Sequence, residues 1–96
     1  MQFVLVQTEA AEKQISALQT SDPVRYKKVL RTLGRLETNV RSPGLQTHKF
    51  HSMKGPNGED VFEAYVEHKT PAAYRVFFFY GPGTREITIL AVTPHP

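Results

Sequence analysis

Ala73-Tyr74-Arg75-Val76-Phe77-Phe78-Phe79-Tyr80, then Gly81-Pro82-Gly83, then Glu86-Ile87-Thr88-Ile89-Leu90-Ala91-Val92-Thr93 is the stretch that decides the fold. Its first segment is a continuous run of β-formers, apolar on both sides of the pleat, as a central strand requires. The glycine–proline–glycine cluster supplies a tight turn, and the last segment returns as another strand. A connection this short between neighbouring strands makes the pair antiparallel. Just upstream, Val61 to His68 is again rich in β-formers, and Lys69-Thr70-Pro71 separates it from the central strand. Lys54-Gly55-Pro56-Asn57-Gly58 is a turn cluster, and Gln46 to Met53 is the strand it leads back to. The C-terminal half is therefore an antiparallel meander of three or four strands.

Ahead of Gly44 the hydrophobic period is that of a helix. Tyr26, Val29, Leu30, Leu33, Leu36 and Val40 recur at spacings of three and four and form one apolar stripe. Asp22-Pro23 starts this helix, with the carboxylate as cap and proline in the first turn, and Arg41-Ser42-Pro43-Gly44 closes it. Thr8 caps a preceding helix from Glu9 to about Gln19, whose buried side carries Ala11, Ile15 and Leu18. Phe3 to Val6 is a short apolar run suited to a buried strand. The fold class is α+β: an N-terminal strand and a helical hairpin packed on one face of a mainly antiparallel sheet of four or five strands.

The chain has 96 residues, enough for one core and one domain spanning 1–96. Apolar residues make up 40% and charged residues 22%, which excludes compositional disorder, and no apolar run reaches the ~18–20 residues of a membrane helix. The absence of cysteine excludes disulfides and thiolate chemistry and fits a cytoplasmic protein. The formal net charge of +3 suits a polyanionic partner.

Strand parity shows which polar residues could share a face. With Tyr80 opposite Glu86, Arg75 lies opposite Ala91, and His95 projects on the side of Arg75. Glu63, Tyr65 and Glu67 join them if the preceding hairpin keeps like parity. Phe62, Ala64, Val66, Val76, Phe78, Leu90 and Val92 then form the helix-covered face, although Ile87 and Ile89 fall on the polar one. An arginine and a histidine on one face suit phosphate chemistry, the first as a bidentate donor and the second as an acid or base near neutral pH. His48 and His51 stand three apart, which on a strand points them to opposite faces, so no metal site is expected. Arg25, Lys28, Arg31 and Arg35 line the second helix opposite its apolar stripe. Such a stripe is either a solvated face or a contact for nucleic acid or an acidic protein.

Three segments resemble the RelE/ParE superfamily of toxins from type II toxin–antitoxin systems, which includes the HigB and YoeB relatives. Gly44-Leu45-Gln46-Thr47-His48-Lys49-Phe50-His51-Ser52-Met53-Lys54-Gly55 is similar to the family's "pgl..HkLkg" stretch. Ala73-Tyr74-Arg75-Val76-Phe77-Phe78 is similar to its "YRv.f" strand, and Ile89 to His95 to its end. The resemblance implies a toxin that cleaves mRNA in the ribosome without metal or cofactor, or, in the ParE branch, inhibits DNA gyrase. A degenerate interaction domain of the same fold is the blander alternative. It implies a cognate antitoxin encoded nearby and a catalytic set of Arg75, His95 and Glu63, with Lys49, His51, Lys54, Arg25, Lys28, Arg31 and Arg35 toward RNA. The chain departs from RelE in carrying Glu63 and Tyr65 where RelE has lysines, and it lacks the C-terminal tyrosine of the YoeB pattern.

Overall fold

A computed structural model describes residues 2–95. The elements run β1 (Val4–Gln7), α1 (Glu9–Ser21), α2 (Pro23–Thr38), a short 3-10 turn (Pro43–Leu45), β2 (His48–Lys54), β3 (Asp60–Tyr65), β4 (Tyr74–Tyr80) and β5 (Glu86–Pro94). The five strands form one sheet in the order β1-β5-β4-β3-β2. β2 to β5 make the antiparallel meander, and β1 joins the far edge parallel to β5.

Both helices start where the sequence places their caps. The Thr8 hydroxyl accepts from the Ala11 amide, and the Asp22 carboxylate accepts from that of Arg25. Asp22 also ends α1, its own amide donating to the Leu18 carbonyl, so one residue closes one helix and opens the next. The hairpin lies on one sheet face, where Ile15, Leu18, Leu33 and Leu36 pack with Ala64, Val76, Phe78, Ile87, Ile89 and Val92. Leu30 does not join them; it sits at the margin of the stripe and stays exposed. On the opposite face Val61, Phe77 and Phe79 are also buried, with Phe50 of β2 packed 5.0 Å from Phe77, ring centre to ring centre.

The β4–β5 register corrects the parity argument. Tyr80 faces Ile87, not Glu86, and Arg75 faces Thr93, not Ala91. The turn is one residue longer than the tight hairpin assumed. A bulge at Leu90 then adds a second residue between the pairs Phe78–Ile89 and Phe77–Ala91. One shift turns Ile87 and Ile89 onto the helix side, where they are fully buried, and takes Leu90 out of that core. The second restores parity, so His95 still projects on the Arg75 side. α1 binds the backbone groups near the bulge: the Thr8 hydroxyl donates to the Leu90 carbonyl (3.1 Å), and Gln14 accepts from the Val92 amide (2.8 Å). Gly81 opens the turn at φ +119°, a conformation L side chains rarely adopt.

Candidate active site

The sheet face away from the helices gathers side chains from three strands and the segment after β5 around Glu63. This carboxylate is 1% exposed, held in β3 between His48 on β2 and Phe77 on β4. One oxygen lies 2.8 Å from His48 Nε2, and the other accepts from His95 Nδ1. Arg75 Nε stands 3.8 Å from that second oxygen, too far for a hydrogen bond, so their attraction is coulombic. A buried carboxylate without partners would be costly, and these neighbours supply both hydrogen bonds and compensating charge.

The two histidines differ in what their rings leave free. His48 Nδ1 faces the Gln46 carbonyl at 2.7 Å, an acceptor to which it must donate, and Nε2 faces the carboxylate. His95 is anchored by its amide, which donates to the Ala73 carbonyl and extends the ladder past β5. Its Nδ1 edge is committed to Glu63, and the ring remains 44% exposed, which leaves the Nε2 edge toward solvent. A carboxylate fixing one nitrogen of an imidazole whose other nitrogen is accessible is the geometry of an oriented acid–base histidine.

Arg75 sits behind this pair. Its side chain is 10% exposed, Nη1 donates to the Glu67 and Tyr74 carbonyls, and Nε is buried without a hydrogen-bond partner. The guanidinium lies 3.7 Å from the centre of the Tyr65 ring. The structure thus brings Arg75, Glu63, His95 and Tyr65 together, as the shared-face reading expects, and adds His48. The signal for His48 is its register opposite Glu63, hidden in the sequence by an irregularity of pairing between Lys49 and Lys54.

Glu67 is not on this face. β3 ends at Tyr65, and the Glu67 carboxylate turns toward α2, meeting Arg25 Nε at 3.1 Å, Lys28 Nζ at 3.2 Å and the Tyr74 amide at 3.1 Å. Burial by itself pushes this carboxyl upward, but the Tyr74 amide and the two cations outweigh it and hold the group below its ordinary value. Half of the helix stripe, Arg25 and Lys28, is therefore bound to the protein itself, whereas Arg31 and Arg35 remain exposed. On β2, Lys49 and Lys54 both reach Asp60, at 3.2 and 2.8 Å, and hydrogen bonds from Lys54 and then Lys49 draw its carboxyl below the usual range. His51 is exposed on the same strand.

No protein-family model and no curated protein matches the sequence. Solved structures do match the fold. RelE in the archaeal RelE–RelB complex of Pyrococcus horikoshii OT3 superposes with a TM-score of 0.66 at 19% identity, over 98% of this chain and 96% of that one. A chain of the YoeB–YefM complex of Staphylococcus aureus gives 0.68 at 13% identity over 100% of both chains. A YoeB/ParE toxin from Agrobacterium tumefaciens gives 0.66 at 14% identity, over 96% of this chain and 98% of that one. Element for element, two helices against one face of a five-stranded mixed sheet, this chain has the fold of the RelE and YoeB toxins.

Proposed function

We propose that the chain is the toxin of a type II toxin–antitoxin pair and acts as a metal-independent endoribonuclease on mRNA in the ribosome. The carrying observation is the Glu63–His95 pair, a buried carboxylate orienting an imidazole whose other edge is open, with Arg75 behind it. His95 Nε2 takes the proton of an RNA 2′-hydroxyl as its oxygen attacks the adjacent phosphorus, and Glu63 stabilises the imidazolium that forms. The bond from phosphorus to the 5′-oxygen breaks, and that oxygen leaves with a proton from the imidazolium or from water. Arg75 supplies positive charge near the developing phosphorane. Glu63 itself is too enclosed to reach the hydroxyl and serves through His95.

Induced expression should arrest growth and yield cleaved, translated mRNA. His95→Gln should lower cleavage by roughly 10²–10⁴-fold, the span of general acid–base catalysis. Equal toxicity of this variant at matched expression would remove the site. A gyrase-binding toxin is the second reading, favoured by Glu63 and Tyr65 standing in place of RelE-type lysines. Loss of supercoiling with intact mRNA would establish it instead. The related structures with RelB and YefM support an antitoxin partner for this chain too. A short reading frame beside the gene, acidic in its toxin-binding segment, should encode it, and co-expression should restore growth.

A further inference from the structure

Tyr65, on the sheet face away from the helices, has two imidazole neighbours. The Tyr65 ring has His48 edge-on at 5.8 Å and His68 tilted at 5.1 Å, centre to centre. Arg75 is buried, Tyr65 is only half-buried, and the two histidines are exposed. The guanidinium, being the more enclosed partner, lies beneath the tyrosine, so the other face of the ring is turned outward. Sites for single-stranded nucleic acid combine exposed aromatic faces with cationic groups. Phe77 and Phe79, which make the neighbouring strand aromatic in sequence, are buried and present no such face. Tyr65 follows Glu63 by two residues, about 7 Å along the same side of the strand. That is twice the ~3.4 Å rise per nucleotide of a stacked strand, so a base on Tyr65 belongs to a nucleotide next to the scissile phosphate in an extended one.

We infer that Tyr65 is a nucleobase platform, on whose outward face one base of a single-stranded RNA stacks. The inference rests on the endoribonuclease reading for its substrate and specifies how the strand is held beside His95. A 2′-O-methyl RNA carrying 2-aminopurine tests it, because the capped hydroxyl prevents cleavage while stacking quenches the fluorophore. Tyr65→Leu should weaken the titrated affinity by roughly tenfold to a hundredfold, the range measured for removing one base–aromatic stack. Tyr65→Trp, with a larger ring, should bind as well as the native chain or better. Quenching unchanged in Tyr65→Leu overturns the inference, as does its absence in a Tyr65→Trp chain that unfolds at the native temperature. If Tyr65→Leu instead loosens an acidic antitoxin peptide and spares quenching, the ring seats a peptide side chain and the platform is again refuted. Tyr65-dependent quenching by a protein that cleaves no ribosomal mRNA would sink the endoribonuclease reading and sustain the platform.

Discussion

Two glutamates four residues apart do opposite work in this molecule. Glu63 faces the open side of the sheet and holds two imidazoles, while Glu67, past the end of β3, faces the helices and holds two cations. Glu67 is 7% exposed, so its pairs are shielded from solvent as surface pairs are not. Its folded-state pKa lies below the ordinary 4.5, which means the unfolded chain binds this proton more readily than the native one. The resulting stabilisation is complete above the unfolded value and is lost as pH falls through the lower folded value. Glu67→Gln should therefore cost about 1–3 kcal/mol at neutral pH, by removing the buried anion that Lys28 and Arg25 share, although Arg25 keeps its pair with Asp22. The loss should appear as roughly 4–8 °C of Tm per kcal/mol at this chain length. The gap between native and variant stability should close in acid. A gap that stayed constant down to about pH 2 would show that the carboxylate charge is not its source.

Among the elements, β5 determines whether there is a site at all. Its bulge lets one strand bury Ile87 and Ile89 against the helices and still end with His95 on the other side beside Glu63. Deleting Leu90 makes Ile89 and Ala91 consecutive opposite Phe78 and Phe77, so the ladder becomes regular with Ile87 and Ile89 still inside and His95 still on the side of Glu63. Such a variant should keep cleavage and lose only about 0.5–1.5 kcal/mol with the Thr8–Leu90 hydrogen bond. Loss of cleavage in a folded deletion variant would refute this account of the bulge. The same feature marks the limit of what sequence periodicity reveals. The helices were legible because Thr8 and Asp22 are caps and Ala11, Ile15, Leu18, Val29, Leu33 and Leu36 keep a helical period. The meander was legible from its Gly- and Pro-rich turns. Arg75 and His95 were correctly placed on one face, but by two register shifts that cancel. A bulge carries no residue-type signature here, since Leu90 is as good a strand former as its neighbours. His48 was missed for the same kind of reason, and Glu67 because nothing in Val61 to His68 marks where the strand bends.

For the whole molecule, the net charge of +3 is less informative than which cations the fold has already spent. Lys13 pairs with Glu9, Lys49 and Lys54 with Asp60, Arg25 and Lys28 with Glu67, and Arg75 lies buried beside Glu63. Among the described residues, Lys27, Arg31, Arg35, Arg41, Lys69 and Arg85 make no such pair, and of these Arg31 and Arg35 lie one turn apart on α2, along a cleft of about 250 Å³ shared with His68 and Thr70. Cations without internal partners are the ones whose counterions a phosphate backbone releases. Under the endoribonuclease reading, an Arg31→Ala/Arg35→Ala chain should therefore bind ribosomes more weakly and with a flatter salt dependence. Each phosphate left without its arginine should take roughly 0.7–0.9 off the log–log slope. Arg25→Ala/Lys28→Ala should behave in the opposite way, lowering Tm because Glu67 is left buried and unpaired, with little change in slope. The two double variants carry the same change in charge, so a difference between them isolates position in the fold from net charge. If both flatten the slope equally, the ion pairs to Glu67 open on binding and the whole stripe faces RNA; if neither does, α2 is not the docking face and the ribosome must be met through another surface.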